Sequence, residues 1–132
     1  MKILFVCSGN AYRSPLAEAL LKKLRPDLEV DSAGLRAAIP ISGQIWEFLA
    51  KRNAAQYLKK APQGIDEKKL GEYDLIVAME HVHTNAVLSV CPECETRIVE
   101  WNIEDPYFLE KEDAERVYVR IENKVEEIAE SL

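Results

Sequence analysis

Short apolar runs alternate with amphipathic stretches along this chain. Residues 3–6 are a four-residue apolar run of buried-strand length. The spacing of Leu16, Leu20 and Leu24, with Leu21 widening the stripe, predicts a helix over residues 14–25. Ser14-Pro15 fits its start, Ser as N-cap and Pro at the first helical position. Residues 28–32 predict a second strand, and a loop rich in Ala, Ile, Pro, Ser and Gly follows. Ile45, Phe48, Leu49 and Arg52 have helical spacing over residues 44–52. Residues 53–63 read either as a continuation of that helix or as a loop. Residues 66–70 read as a short helix capped by Asp66. Residues 75–78 form a strong apolar strand, and residues 81–90 read as a helix with Val82, Ala86 and Val90 in line. Residues 97–99 make a last strand. A closing helix from about Asp113 carries the stripe Val117, Ile121, Val125, Ile128 and Leu132.

Strands that alternate with helices imply crossover connections and a parallel sheet covered on both faces. The expected fold is α/β, a doubly wound four-stranded parallel sheet in the order 2-1-3-4 with helices on both faces. Without repeats, low-complexity tracts or linkers, the expectation is one domain over residues 1–132. Ligands of such sheets bind beyond the carboxyl ends of the strands, where the strand order reverses. The segment that follows the first strand is therefore the one to read for chemistry.

Composition narrows the classes. The 132 residues are 48% hydrophobic and 30% charged, ordinary for a globular chain with a real core. Lys and Arg number 17 against 23 Asp and Glu, a net charge of −6, which argues against a nucleic-acid partner. No apolar stretch approaches the ~20 residues of a membrane helix, so no membrane partner is expected. Residues 3–7 are too short for a signal-peptide core of ~7–15 apolar residues. Three cysteines without a signal point to a reducing cytoplasm and to thiols.

The loop after the first strand is Cys7-Ser8-Gly9-Asn10-Ala11-Tyr12-Arg13-Ser14-Pro15. Successive backbone N–H groups of a tight loop, backed by a helix N-terminus, cradle an anion. Gly9 permits close backbone approach, and Asn10 tolerates a left-handed conformation. Arg13 can grip two phosphate oxygens with its planar fork. The same dipoles favour a thiolate, which makes Cys7 a nucleophile, and the Ser14 hydroxyl can donate to its sulfur while its oxygen caps a backbone N–H. A lone Cys or Arg is most often a buried small side chain or a solvated charge. Strand, loop and striped helix in this order reverse that balance.

This stretch resembles the signature of the low-molecular-weight protein tyrosine phosphatases: a cysteine, five residues, then Arg-Ser near the N-terminus. Asp31-Ser32-Ala33-Gly34-Leu35 is similar to the family's Ser-Ala-Gly segment. The run Tyr73 to Glu80 resembles its third strand, with His83 at a common position just after. Glu104-Asp105-Pro106-Tyr107 resembles its general-acid loop. The resemblance implies hydrolysis of phosphotyrosine and small aryl phosphates through a phosphocysteine on Cys7, with Arg13 and the amides of Ser8, Gly9, Asn10, Ala11 and Tyr12 binding phosphate. It implies that Asp105 is the general acid and base, with Glu104 as a surface charge. Asn10, Ser14 and Ser32 would brace the loop. Tyr107 and Phe108 would wall the cleft, ordinary packing being the alternative for Phe108. A phosphotyrosine protein or peptide is the implied substrate, and inorganic phosphate or another oxyanion an inhibitor. No cofactor and no metal are called for.

Three departures stand out. Tyr12 replaces the second loop cysteine of many family members, so their protective disulfide cannot form there. Ala37, Ala38 and Ile39 lie where a large residue is usual, and the stretch before Gln63 does not align. Cys91-Pro92-Glu93-Cys94 can be half a zinc site, a redox pair or two structural thiols. With no second pair and no His-x-His after it, structural thiols are favoured, then redox, then metal. An arsenate reductase would need relay cysteines nearer the third strand than Cys91 and Cys94. A non-enzymatic phosphate-binding module would not need Cys7, Arg13 and Asp105 together.

Overall fold

The computed structural model describes residues 1–132. Four strands, β1 (Lys2–Cys7), β2 (Glu29–Gly34), β3 (Leu75–Ala78) and β4 (Ile98–Glu100), form one sheet in the order β2-β1-β3-β4. Every pairing is parallel. Four α-helices connect or follow them: α1 (Arg13–Leu24), α2 (Gly43–Ala50), α3 (His81–Val90) and α4 (Lys111–Ser131). The expected order and layering hold, and β3 and α3 have the predicted bounds.

The alternation of side chains along β1 divides the interior in two. Ile3, Phe5 and Cys7 join a large cluster with α1, α2 and α4 that includes Leu16, Leu20, Phe48, Trp101, Val117, Ile121 and Val125. Leu4 and Val6 face the other way, onto Ile76, Val87, Cys91 and Cys94. Helix α4 buries Val117, Ile121 and Val125 of its predicted stripe, while Ile128 and Leu132 are only partly covered.

Several local expectations need correction. Ser14 caps nothing. The helix begins one residue earlier, at Arg13, with no side-chain cap, and the Ser14 hydroxyl turns into the site. Residues 53–63 continue no helix and hold one short 3-10 turn, Ala55–Tyr57. Asp66 caps no helix either. It lies inside the turn Ile65–Glu67, and Glu67 accepts from the Gly64 N–H at 2.9 Å. The expected thiols of Cys91 and Cys94 form a disulfide. They flank the start of a 3-10 turn, Pro92–Arg97, which brings their Cα atoms to 5.4 Å, within bridging distance.

The C-terminal end of β2 is strapped to the first loop. The N–H groups of Leu35 and Arg36 donate to the carbonyls of Cys7 and Ser8 at 3.1 and 2.9 Å. This contact leaves no room for a side chain at Gly34, where a Cβ would come within 2.6 Å of the Asn10 nitrogen and 2.8 Å of the Ser8 oxygen. Both obstacles are backbone and cannot rotate away. Gly34→Ala should therefore cost about 1–3 kcal/mol, as overpacking does, and should weaken anion binding by displacing the loop. Thermal melts with and without phosphate check this. Unchanged stability and unchanged phosphate protection would show that the strap has slack.

Candidate active site

Cys7 ends the central strand β1, and the loop Ser8–Tyr12 turns the chain into α1. Asn10 has φ of 54°, the left-handed conformation expected of it. Its side chain makes three hydrogen bonds. Nδ2 donates to Ser14 Oγ at 2.8 Å and to Ser32 Oγ at 2.9 Å, and Oδ1 accepts from the Gln63 N–H at 2.9 Å. Ser32 Oγ in turn donates to Glu18 Oε1 at 2.5 Å. With Asn10 filling one acceptor position on Ser14, the Ser14 hydrogen has the Ala33 carbonyl at 3.5 Å and Cys7 Sγ at 2.8 Å to choose between, and it goes to the sulfur whenever Cys7 is a thiolate. The expected brace of Asn10, Ser14 and Ser32 is present.

The brace continues into two groups that sequence reasoning missed. Glu18 is buried on α1 and paired with Lys22 at 2.6 Å, with Lys59 Nζ 4.0 Å away. Lys59 donates to the Ser32 carbonyl at 2.8 Å. Burial lowers the pKa of Lys59, against the pull of Glu18 and Asp31. The available signal was a glutamate set among Leu16, Leu20 and Leu21. No pattern announced Lys59, in a stretch without a clear period.

Arg13 is buried at the mouth of α1. Nη1 donates to Glu80 Oε1 at 2.6 Å and to the Ile103 carbonyl at 2.7 Å, and Nη2 to Ser8 Oγ at 3.3 Å. Of the roughly five N–H donors of a guanidinium, the Nε hydrogen and one on Nη2 remain. That adjacent pair suits two oxygens of one phosphate. Glu80 follows β3, and its part in holding Arg13 was not evident from sequence. His83, on α3, is fully buried. Its Nδ1 accepts from the Glu80 N–H and its Nε2 lies 2.9 Å from Ser8 Oγ. Burial, with the Arg13 charge nearby, lowers its pKa to about 4.

A cavity of about 290 Å³ opens over the loop, lined by Cys7, Tyr12, Arg13, Ile39, Asp105 and Tyr107 among others. Asp105 Oδ2 stands 3.8 Å from Arg13 Nη2, and Oδ1 accepts from the Tyr107 N–H at 3.0 Å. Glu104 turns away toward Arg120, 4.0 Å distant. Tyr107 meets Tyr12 edge to face at 6.1 Å. Phe108 is 91% exposed and packs on Tyr107 outside the cavity, so it is no wall of it. Arg36 also lines the mouth, its side chain exposed and unpaired.

A cysteine at the carboxyl end of a parallel α/β sheet, with a buried arginine beside it in the same cavity, fits the class of proteins that handle oxyanions. The family model for low molecular weight phosphotyrosine protein phosphatases matches residues 2–132, and the chain belongs to that family. The low molecular weight protein-tyrosine-phosphatase Wzb of Salmonella typhi is 34% identical, covering 99% of this chain and 93% of its own. The solved structure of Vibrio vulnificus Wzb in complex with benzylphosphonate superposes with a TM-score of 0.87 at 31% identity, covering 99% and 98%. An arginine phosphatase from Geobacillus stearothermophilus gives a TM-score of 0.84 at 27% identity, covering 98% and 91%.

Two predictions follow from this geometry. His83 stays neutral when folded down to about pH 4, whereas an unfolded histidine takes a proton near ~6.5. Between these values the unfolded state binds more protons, so stability falls as pH drops from about 6.5 toward 4. His83→Gln, which cannot titrate, should flatten this part of the melting-temperature profile. A profile parallel to the wild type's would assign the slope to other groups. The second prediction concerns oxidation. Cys7 and the buried Cys91–Cys94 pair lie on opposite faces of the sheet. Brief peroxide should therefore oxidise Cys7 progressively, with poor recovery by dithiol and protection by phosphate. Detection of a Cys7–Cys91 or Cys7–Cys94 crosslinked peptide would refute the separation.

Proposed function

We propose that residues 1–132 form a single phosphatase domain that hydrolyses phosphotyrosine in proteins or peptides, and small aryl phosphates. The observation that carries this reading is the cradle from Cys7 to Arg13 with Asp105 facing Arg13 across its mouth at 3.8 Å. The benzylphosphonate held by the Vibrio relative is an aryl group one carbon away from a phosphoryl mimic. Tyr12, Tyr107 and Ile39 line the cavity, and walls of this kind favour an aryl ester over a phosphorylated guanidine.

The residues divide the chemistry as follows. The phosphate dianion sits on the loop amides and on the two free donors of Arg13. The Cys7 thiolate attacks phosphorus as the P–O bond to the ring breaks. Phenolate, with a pKa near ~10, is a poor leaving group, and Asp105 in its acid form gives it a proton. The tyrosine departs and leaves a phosphocysteine. Asp105, now a carboxylate, takes a proton from the water that attacks phosphorus. The S–P bond then breaks, phosphate leaves, and the sulfur returns as the thiolate that Ser14 stabilises. Free phosphate and similar oxyanions inhibit by occupying the same donors. A reduced Cys7 thiol is essential to every turnover, while the Cys91–Cys94 disulfide removes the cysteine-count argument for a reducing cytoplasm. No helix is long and apolar enough to cross a membrane.

Hydrolysis of an aryl phosphate series, with phosphotyrosine and phosphoarginine peptides in parallel, tests the reading. Cys7→Ser should abolish turnover yet retain phosphate binding, and Arg13→Lys should be nearly as damaging because a point charge cannot replace the fork. Asp105→Asn should slow poor leaving groups about 100-fold or more and good ones far less. A loss uniform across the series would move the acid role elsewhere, and preference for the phosphoarginine peptide would overturn the substrate assignment.

A further inference from the structure

The hydroxyl of Ser8 has its hydrogen-bond roles fixed from one side. His83 Nδ1 accepts from the Glu80 backbone N–H at 2.9 Å, so in the neutral ring the proton resides on Nε2. That proton points to Ser8 Oγ at 2.9 Å. Arg13 Nη2 donates to the same oxygen at 3.3 Å. A hydroxyl oxygen has two acceptor positions and one hydrogen. Both positions are filled by obligate donors, and neither neighbour can accept the hydrogen of Ser8. Ser8 lines the cavity beside Cys7 and Arg13.

We propose that the Ser8 hydroxyl is a catalytic hydrogen-bond donor to the phosphoryl oxygens, and that His83 is the positioning residue that aims it. The loop amides and Arg13 bind the phosphate in the ground state and the transition state alike. A side-chain donor held by two others, in a cradle closed to water on its inner side, adds a fixed dipole where charge is redistributed during transfer. His83 never meets substrate. It acts by denying Ser8 an acceptor on the inner side, because its only other ring nitrogen is committed to Glu80.

This inference rests on the phosphatase reading of the same site, but the two fail separately. Wild-type turnover of an aryl phosphate tests that reading, and equilibrium binding of vanadate to the variants tests this one. Loss of one hydrogen bond to a charged group is expected to cost about 10- to 100-fold. Ser8→Ala should lower kcat/KM and vanadate affinity by the same factor, at least about tenfold, in a protein that is still fully folded at the assay temperature. Ser8→Thr, which keeps the hydroxyl, should remain within about threefold of wild type. His83→Asn, which keeps an acceptor for the Glu80 N–H but lacks the donor to Ser8, should show part of the Ser8→Ala loss, while His83→Gln should restore it. Adding Ser8→Ala to His83→Asn should cost no more than Ser8→Ala alone. Unchanged vanadate affinity in a folded Ser8→Ala protein would overturn the proposal. So would losses from Ser8→Ala and His83→Asn that multiply in the double variant, which would make His83 a structural residue independent of Ser8.

Discussion

The left-handed turn at Asn10, held by its own side chain, is the constraint on which the site depends. A φ of 54° is costly for most residues with a Cβ, and here three hydrogen bonds hold it. They tie the loop to α1 through Ser14, to β2 through Ser32, and to the segment before Gly64 through Gln63. Three stretches of chain far apart in sequence are thereby held to the geometry of five loop residues. A buried polar group left without a partner costs about 1–3 kcal/mol, so removing any of the partners penalises the turn itself. Shape and chemistry are set by the same bonds, since the one that fixes Ser14 also frees its hydrogen for sulfur.

Charge enters the interior in a comparable way. Glu18 and Lys59 stand behind the loop, and Glu80 and Arg13 stand in front of it. Isolated, Glu18, Lys59 and Arg13 would each be expensive to bury, while Glu80 keeps two-fifths of its side chain in solvent. Paired and hydrogen-bonded, they orient neutral groups: Glu18 directs the Ser32 hydroxyl, and Glu80 holds the guanidinium edge away from the cradle. Arg13 thus reaches the anion already aligned, with its entropy of ordering settled in the fold rather than at binding.

How much of this was legible follows from the physics of each signal. The apolar run of β3 could be read because burial on a sheet needs uninterrupted Leu, Ile and Val there. The spacing in α3 gave its bounds but not its buried face, since Val82 and Val90 are exposed and His83 and Val87 are the side chains it buries. Cys7 and Arg13 could be singled out because an anion-binding loop between a strand and a helix uses few residue types at a fixed spacing, and Asp105 because Asp105-Pro106-Tyr107 resembles the family's general-acid loop. Ser14 misled because a serine before a helical stripe fits a cap, and only its three-dimensional neighbours, Cys7 and Asn10, show a stronger use. Glu18, Lys59 and the His83–Ser8 contact were invisible because they depend on side chains meeting across the sheet. The disulfide was missed because cysteine count reports on compartment, while the turn at Pro92 decides proximity. Phe108, though adjacent to Tyr107, turned outward, a direction that sequence adjacency cannot fix.

The unpaired Arg36 gains meaning from the charge of the whole molecule. A chain of net charge −6 repels a phosphorylated peptide at long range. At physiological ionic strength that field fades beyond about 8 Å, and inside this radius an approaching dianion meets Arg36 at the rim before it reaches Arg13. Capture is therefore a near-field event.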